Sequence, residues 1–445
     1  MDNLSVFDFI FPPFYLVLVL VTANFIKKNN IEKSPEYEYF LKGLIIKIVG
    51  AIALGLIYSF YYNGGDTINY FQTANAYVSL AFYDFNNFIE GWLGNPIYLN
   101  SISFFNEDTG YPVYFHRDQH SFFIVRLLIP IVFLAGKTYF SATILTAFIT
   151  FSGVWKLYQM FVEEFPVLKK ELAIAIIFLP SCVFWGSGIL KDSFTLSAVG
   201  WFSYSFYNLL IKRKFNLKFI ISILISSTVL IAVKPYIFFA LLPGSILWLS
   251  NNQIAKISNS ILRVLIAPFL IALGLLGGSF SLSKLGDNLG LYKVDTVLER
   301  ATVVQKDMKA DYYGGKSFDI GEFDASIEGI ISKAPQAIFA GLFRPGIWDV
   351  KNAVMLISSM ENTILILLTI FLLIKLKFFG FFRYIGKNPM LMFAMLFALF
   401  FSFAVGLTVA NFGSLVRLRI PSLPFYMASI FIIRHFYNQS RLKIN

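Results

Sequence analysis

Residues able to do chemistry fall in a few short runs of the chain. The first is Asn63-Gly64-Gly65-Asp66-Thr67-Ile68-Asn69-Tyr70, in which a carboxylate follows two glycines directly after an apolar stretch. Glycine permits tight turns beside a ligand, and a carboxylate so placed can act as a general base or hold a divalent cation. The same residue could equally cap a helix starting at Thr67, since Asp is a favoured N-cap, and spacing alone leaves both readings open. A second run, His116-Arg117-Asp118-Gln119-His120, sets two histidines four residues apart. That spacing can put both on one helical face toward a metal, but no Glu follows the first His, so an interfacial turn is the plainer reading. His116, His120 and Tyr70 are expected to support the acceptor or its loop.

Three further runs bring cations. Leu179-Pro180-Ser181-Cys182-Val183-Phe184-Trp185-Gly186-Ser187-Gly188-Ile189-Leu190-Lys191-Asp192-Ser193 ends one apolar stretch, breaks on small residues and closes on a charged pair. Lys191 and Asp192 could be an interfacial anchor and a helix cap, a reading that leaves the Gly-Ser-Gly run unexplained. Lys234 stands before Pro235 between two apolar stretches. An ammonium at membrane depth is costly and marks a functional candidate unless it snorkels to the interface. Leu342-Phe343-Arg344-Pro345-Gly346-Ile347-Trp348 precedes a stretch containing Glu361, and Asn411-Phe412-Gly413-Ser414-Leu415-Val416-Arg417-Leu418-Arg419-Ile420-Pro421 holds two arginines. Arg344 with Trp348 can be an interfacial belt, whereas guanidinium forks suit phosphate.

The elements that position these groups follow from composition. Of 445 residues, 57% are hydrophobic, 18% aromatic and 14% charged, with a mean hydropathy of +0.67. Soluble chains carry roughly 25% charged residues, so the body of this chain belongs in lipid. One cysteine, Cys182, and three histidines exclude a disulfide framework and a cysteine-rich zinc site. The net charge of +11 reports topology rather than nucleic-acid binding.

A span needs about 20 apolar residues. Apolar segments lie near 11–26, 43–63, 138–160, 172–189, 193–211, 219–250 as a pair about Lys234-Pro235, 264–279, 354–374, 390–410 and 420–433. Basic residues gather on alternate short loops, among them Lys27 and Lys28, Lys169 and Lys170, Lys212 to Lys214, and Arg383 and Lys387; these loops hold 20 of the 37 basic residues. The positive-inside rule assigns them to the cytoplasm. The N-terminus is then outside and the C-terminus cytoplasmic, with two longer extracytoplasmic loops, 64–120 and 280–353. Residues 121–135 fit this topology as a re-entrant or surface-lying piece, or else the number of spans differs by one. Arg417 and Arg419 break the sign pattern on the outer side, and that break marks where phosphate is expected to bind.

The ordered set of an Asp just after an early span, a His-containing loop end, Leu-Pro-Ser-x-x-Phe-Trp-x-Ser-Gly-Ile-Leu-Lys-Asp and a late Arg-x-Arg-x-Pro-x-x-Pro-Phe resembles the membrane-embedded GT-C glycosyltransferases. More narrowly, it is similar to bacterial members of the protein mannosyltransferase and aminoarabinose transferase group. The resemblance is clearest over residues 60–240 and 340–430. The apolar segments predict an all-α polytopic integral membrane protein of about 11 to 13 transmembrane helices, and with no internal repeat the chain reads as a single domain over 1–445; the resemblance implies the bacterial inner membrane.

The implied activity moves a sugar from a polyprenyl-phosphate donor to a lipid, glycan or protein acceptor at the outer face. Carried over residue by residue, the catalytic or acceptor-organising role falls on Asp66 and the second acidic position on Asp192. Lys191, Lys234, Arg344, Arg417 and Arg419 become candidates for the donor phosphate, and Asp66 with Asp192 for a divalent cation such as Mg or Mn. The chain departs from the family in its Gly-Gly-Asp context, where the family has paired acidic residues, and in an extra N-terminal span. Other readings are a polysaccharide polymerase relying on Arg344 and Arg417, a transporter or flippase, and a noncatalytic envelope subunit.

Overall fold

Long apolar stretches without interior charge satisfy their backbone only as helices in lipid, and helices make up the protein. The computed structural model describes residues 6–94, 101–113, 118–254, 318–321, 326–350 and 353–442. The expected span at 264–279, most of the 280–353 loop and His116 lie outside the described residues. In chain order the helices are α1 (Phe7–Asn30), α2 (Phe40–Leu56), α3 (Asp66–Tyr83), α4 (Phe85–Leu93), α5 (Gln119–Leu134), α6 (Tyr139–Glu164), α7 (Lys169–Ile176), α8 (Pro180–Trp185) and α9 (Lys191–Phe206). There follow α10 (Leu217–Val233), α11 (Pro235–Ile254), α12 (Ile327–Ser332), α13 (Ala334–Phe343), α14 (Ala353–Ile385), α15 (Pro389–Thr408), α16 (Phe412–Leu418) and α17 (Leu423–Leu442). Helix α14 is interrupted at Lys377, where φ is 58°.

Among the described residues, five helices are long and apolar enough to cross a membrane: Phe7–Asn30, Pro35–Tyr61, Tyr139–Glu164, Met355–Ile385 and Pro389–Thr408. A sixth arises if α16 and α17, bent by 68°, count as one span. The count of about 11 to 13 is not reached on length and apolarity; the remaining apolar helices, such as Gln119–Leu134 and Leu217–Val233, are shorter. The stretch 172–189 is not one helix. It breaks into α7 and α8 ahead of Pro180, which offers no N–H and disfavours helical backbone in the residue before it, and then turns through Gly186-Ser187-Gly188. The first expected outer loop is largely helical too. Its α3 buries Ile68, Phe71, Ala74, Tyr77, Val78 and Leu80, a stripe that the interleaved Asn69, Gln72, Thr73 and Asn75 conceal from hydropathy. Residues 121–134 lie in α5, which carries Pro130 within it.

The chain divides into two compact units. The first comprises residues 1–164, 182–206 and 216–235, and the second 165–181, 207–215 and 236–445. Both close their helix pairs on small residues. In the first, a Cβ on Gly200 of α9 would lie 2.0 Å from the Gly153 carbonyl oxygen of α6. In the second, Ala337 and Gly341 of α13 oppose Ser402 and Gly406 of α15, with Gly406 so close that a Cβ would lie 1.9 Å from the Ala337 oxygen. Small residues allow such backbone contact, a main source of helix association in lipid. Helix α1 buries only Asp8, Val19 and Ala23, and the Asp8 carboxylate accepts the backbone N–H of Tyr139 at the start of α6.

Candidate functional site

Four helix ends of the first unit bring together ionisable residues from distant parts of the sequence. Asp66 is the first residue of α3 rather than its N-cap; that position is Gly65, at φ 109°, which has no side chain to offer. The capping explanation of Asp66 therefore does not apply, and its half-buried carboxylate sits at a helix N-terminus, where the macrodipole favours negative charge. Behind it the Thr67 hydroxyl accepts from Tyr139 Oη at 2.8 Å.

Asp118 is the N-cap of α5. Its carboxylate accepts from the backbone N–H groups of His120 at 3.1 Å and Ser121 at 3.2 Å, and from Ser121 Oγ. Lys191 Nζ, at the start of α9, lies 3.3 Å from the same carboxylate. Burial works to raise the Asp118 carboxyl, but the Ser121 hydroxyl and the Lys191 ammonium outweigh it and hold the group below its ordinary value. Burial pulls the Lys191 ammonium down against the raising effect of Asp118 and, more weakly, of Asp66. The asymmetry is physical: the Lys191 side chain is 18% exposed and that of Asp118 49%, so the lysine loses more hydration.

Asp192 and Lys234 form a buried ion pair beside them. Lys234 is the C-cap of α10, extended at φ −146° as the residue before a proline prefers. Its side chain is buried against Asp192 and does not snorkel. His120 bonds the Ala232 carbonyl through Nδ1 at 2.7 Å; a carbonyl only accepts, so that nitrogen carries the proton. Tyr70, buried on α3, donates to Ser121 Oγ at 3.4 Å. His120 and Tyr70 thus brace the start of α5.

The donor set does not fit a resident divalent cation. Asp192 is committed to Lys234, the His120 Nδ1 to a carbonyl, and among the described residues no group of three or more His, Cys, Asp or Glu converges as ligands.

The Leu-Pro-Ser to Lys-Asp motif is mostly architecture. The buried Lys47 of α2 donates to the Gly186 carbonyl, and a Cβ on Gly188 would lie 2.6 Å from Leu54 Cδ2, which explains the small-residue run. In the second unit the Ser181 N–H donates to Glu361 Oε2 at 2.7 Å.

Two arginines expected at the phosphate are occupied within the second unit. Arg419 is fully buried; Nη1 donates to the carbonyls of Leu342 at 3.2 Å and Arg344 at 2.7 Å, and Nη2 to Asn362 Oδ1 at 2.6 Å. It clasps the C-terminal end of α13, where unpaired carbonyls favour a cation, and is not presented to a ligand. Arg344 makes a two-point bond to Asp349 at 2.7 and 3.1 Å, with its guanidinium over the rings of Phe318 and Phe412. Arg417 is half-buried in the last turn of α16.

Asp118 and Lys47 were not singled out from sequence. An Asp just ahead of an apolar run is a capping signal that could have found the first; nothing local marks the second. The first unit also has an apolar cleft of about 810 Å³ lined by parts of α5, α6, α9 and α10, including Leu127, Ile131, Phe194 and Ile225.

The chain matches no family model, no curated protein and no solved structure.

Proposed function

We propose that the protein is a polyprenyl-phosphate-dependent glycosyltransferase of GT-C type in the bacterial inner membrane. In this reading the N-terminus and the α3, α5 and α9 starts face outward, and the shorter apolar helices join the long ones toward the count of about 11 to 13. The supporting observation is the Asp118–Lys191 ion pair at two helix N-termini, with Asp66 at a third near enough to act on the Lys191 ammonium and with the buried Asp192–Lys234 pair next to Lys191 in the chain.

In the proposed step Asp66 takes the proton of an acceptor hydroxyl as its oxygen attacks C1 of the donor sugar. The C1–O bond to phosphate breaks, its electron pair leaves on the polyprenyl phosphate, and the configuration at C1 inverts. Lys191 and the helix N-termini offset the charge growing on the leaving phosphate. Asp118 aims Lys191, and the Asp192–Lys234 pair fixes the start of α9 to the end of α10. Arg419 serves the fold of the second unit. The apolar cleft is of a kind that accepts an isoprenoid chain. No step uses a metal.

The test is transfer by purified full-length protein in nanodiscs from a short-chain polyprenyl-phosphate hexose. Asp66→Asn should lower the rate by about 10²–10⁴, the usual contribution of a general base. Undiminished transfer by that variant would falsify the assignment.

A transporter is the second reading, favoured by the buried ionisable Lys47 and Glu361 within long apolar helices. There Glu361→Gln would stop solute movement across proteoliposomes, and Asp66→Asn would not.

A further inference from the structure

The apolar cleft of the first unit has two unlike ends. The Asp192–Lys234 pair ties the start of α9 to the end of α10, so Phe194 and Val229 line the cleft toward that end. Lys156, Trp201, Tyr204 and Lys218 line it toward the other, where Tyr204 meets Phe219 with ring centroids 6.2 Å apart. A helix rises 1.5 Å per residue, so Phe194 to Tyr204 and Val229 to Lys218 each cover about 15 Å, and Tyr204 lies about 20 Å along α9 from Lys191. The cleft is thus about one leaflet deep in a hydrocarbon core about 30 Å thick. It opens sideways, with Leu134, Ile149, Ile221 and Ile225 on its walls all exposed.

Charge selects among lipids. Among the described residues lining the cleft, the charged ones are Lys156 and Lys218, both cations. Lys156 Nζ donates to Gln159 Oε1 at 2.8 Å and lies over the rings of Tyr204 at 4.7 Å and Trp201 at 5.6 Å. An ammonium has three donors, so two N–H groups remain after the Gln159 bond. Lys218, exposed in the first turn of α10, lies 5.1 Å from the Phe219 ring and near enough to act on Lys156. Ser222 stands one turn on along the same helix face; its Oγ accepts from Ser205 at 2.9 Å and keeps its own hydrogen to give. Two carboxylates, Glu163 and Glu36, also act on Lys156 without lining the cleft, and Glu163 accepts from Tyr204 Oη at 3.4 Å. They offset part of the positive charge, so this end suits one negative charge better than two. A phosphodiester carries one, whereas a phosphomonoester carries about 1.5 to 2 at neutral pH.

We propose that this cleft holds a glycerophospholipid, with its phosphodiester on Lys156, Lys218 and the Ser222 hydroxyl and an acyl chain running between α9 and α10 toward Phe194. An isoprenoid monophosphate fits the apolar part but brings nearly twice the charge to this end. The site uses no residue of the transfer cluster and goes beyond that reading.

The experiment is native mass spectrometry of delipidated full-length protein in detergent, titrated with dioleoylphosphatidylglycerol, with dioleoylglycerol or with a short-chain polyprenyl phosphate. One phosphatidylglycerol should bind saturably, at least about tenfold more tightly than the diglyceride, which lacks the phosphate. Lys156→Ala and Lys218→Ala should each weaken it about tenfold, the loss of one charge-assisted hydrogen bond. If Lys156→Ala folds poorly, the exposed Lys218→Glu gives the same reading through a larger loss. Phosphatidylglycerol brominated in its acyl chains should quench a part of the tryptophan emission that Trp201→Phe lacks, which locates the chain in the cleft. Equal binding of the diglyceride, parent-like binding by Lys218→Ala, quenching that Trp201→Phe leaves unchanged, or displacement by an equal concentration of the polyprenyl phosphate would each overturn the proposal. Saturable binding by a protein that transfers no sugar would leave this site standing and sink the transferase reading; transfer without saturable binding would do the reverse.

Discussion

Lys234→Met offers the most direct test of how the first unit is held. Lys234 and Asp192 are both buried, the Asp192 side chain completely, and they pair across the junction of α9 and α10. Replacing the ammonium by a thioether of similar length leaves the carboxylate in the core without its cation. Breaking one side of a buried pair costs about 3–5 kcal/mol, which is about two to three and a half decades in the folding constant. Asp192→Asn should cost a comparable amount by stranding the ammonium. The double variant strands no charge, and buried pairs replaced by neutral groups are often close to neutral in stability. A double-mutant cycle should therefore return a coupling of at least about 3 kcal/mol. The assay is reversible unfolding of the purified chain in mixed micelles as the SDS fraction rises, followed by tryptophan fluorescence. If the two single losses simply add in the double variant, the residues do not act as a pair and the account of this helix junction is wrong.

Three other outcomes follow from the structure. Arg419→Met leaves the Leu342 and Arg344 carbonyls and the Asn362 side chain short of a donor, at about 1–3 kcal/mol each; it should fail to yield monodisperse protein in size-exclusion chromatography, and a monodisperse variant would refute the role given to Arg419. Asp118 has a carboxyl held below its ordinary 3.8, so its contribution to stability is complete above that pH and is lost as pH falls through the lower folded value. Thermal melts between pH 6 and about pH 2 should show an acid loss in the parent that Asp118→Asn lacks; identical profiles would refute the assignment. Gly200→Ala puts a methyl where the Gly153 carbonyl oxygen is 2.0 Å away, and overpacking of this kind costs about 1–3 kcal/mol. It should lower the unfolding midpoint in the same SDS titration, and an unchanged midpoint would mean that α6 and α9 do not pack backbone to backbone.

Much of the fold is written locally. The length of apolar runs marks the helices at Phe7–Asn30, Tyr139–Glu164 and Pro389–Thr408, and the Lys234-Pro235 break is marked by a proline that offers no N–H. Summed hydropathy misleads where polar residues interrupt a buried stripe, as in α3, or where an apolar stretch contains a helix break, as at 177–179.

The candidate site divides along the same line. The sequence by itself determined that Asp66 follows a span behind two glycines and that Lys191 and Asp192 sit at a helix start, because these are relations between neighbours. Which partner each charge takes was decided only by the tertiary structure. Asp192 meets a lysine 42 positions away, Lys191 an aspartate 73 away, and Arg419 an asparagine 57 away. A charge in a low-dielectric interior is stable only with its partner in place, and no local pattern encodes which distant residue that is. Packing therefore made Asp192 and Arg419 parts of the frame, left Asp66 and Lys191 at the rim, and brought in Asp118.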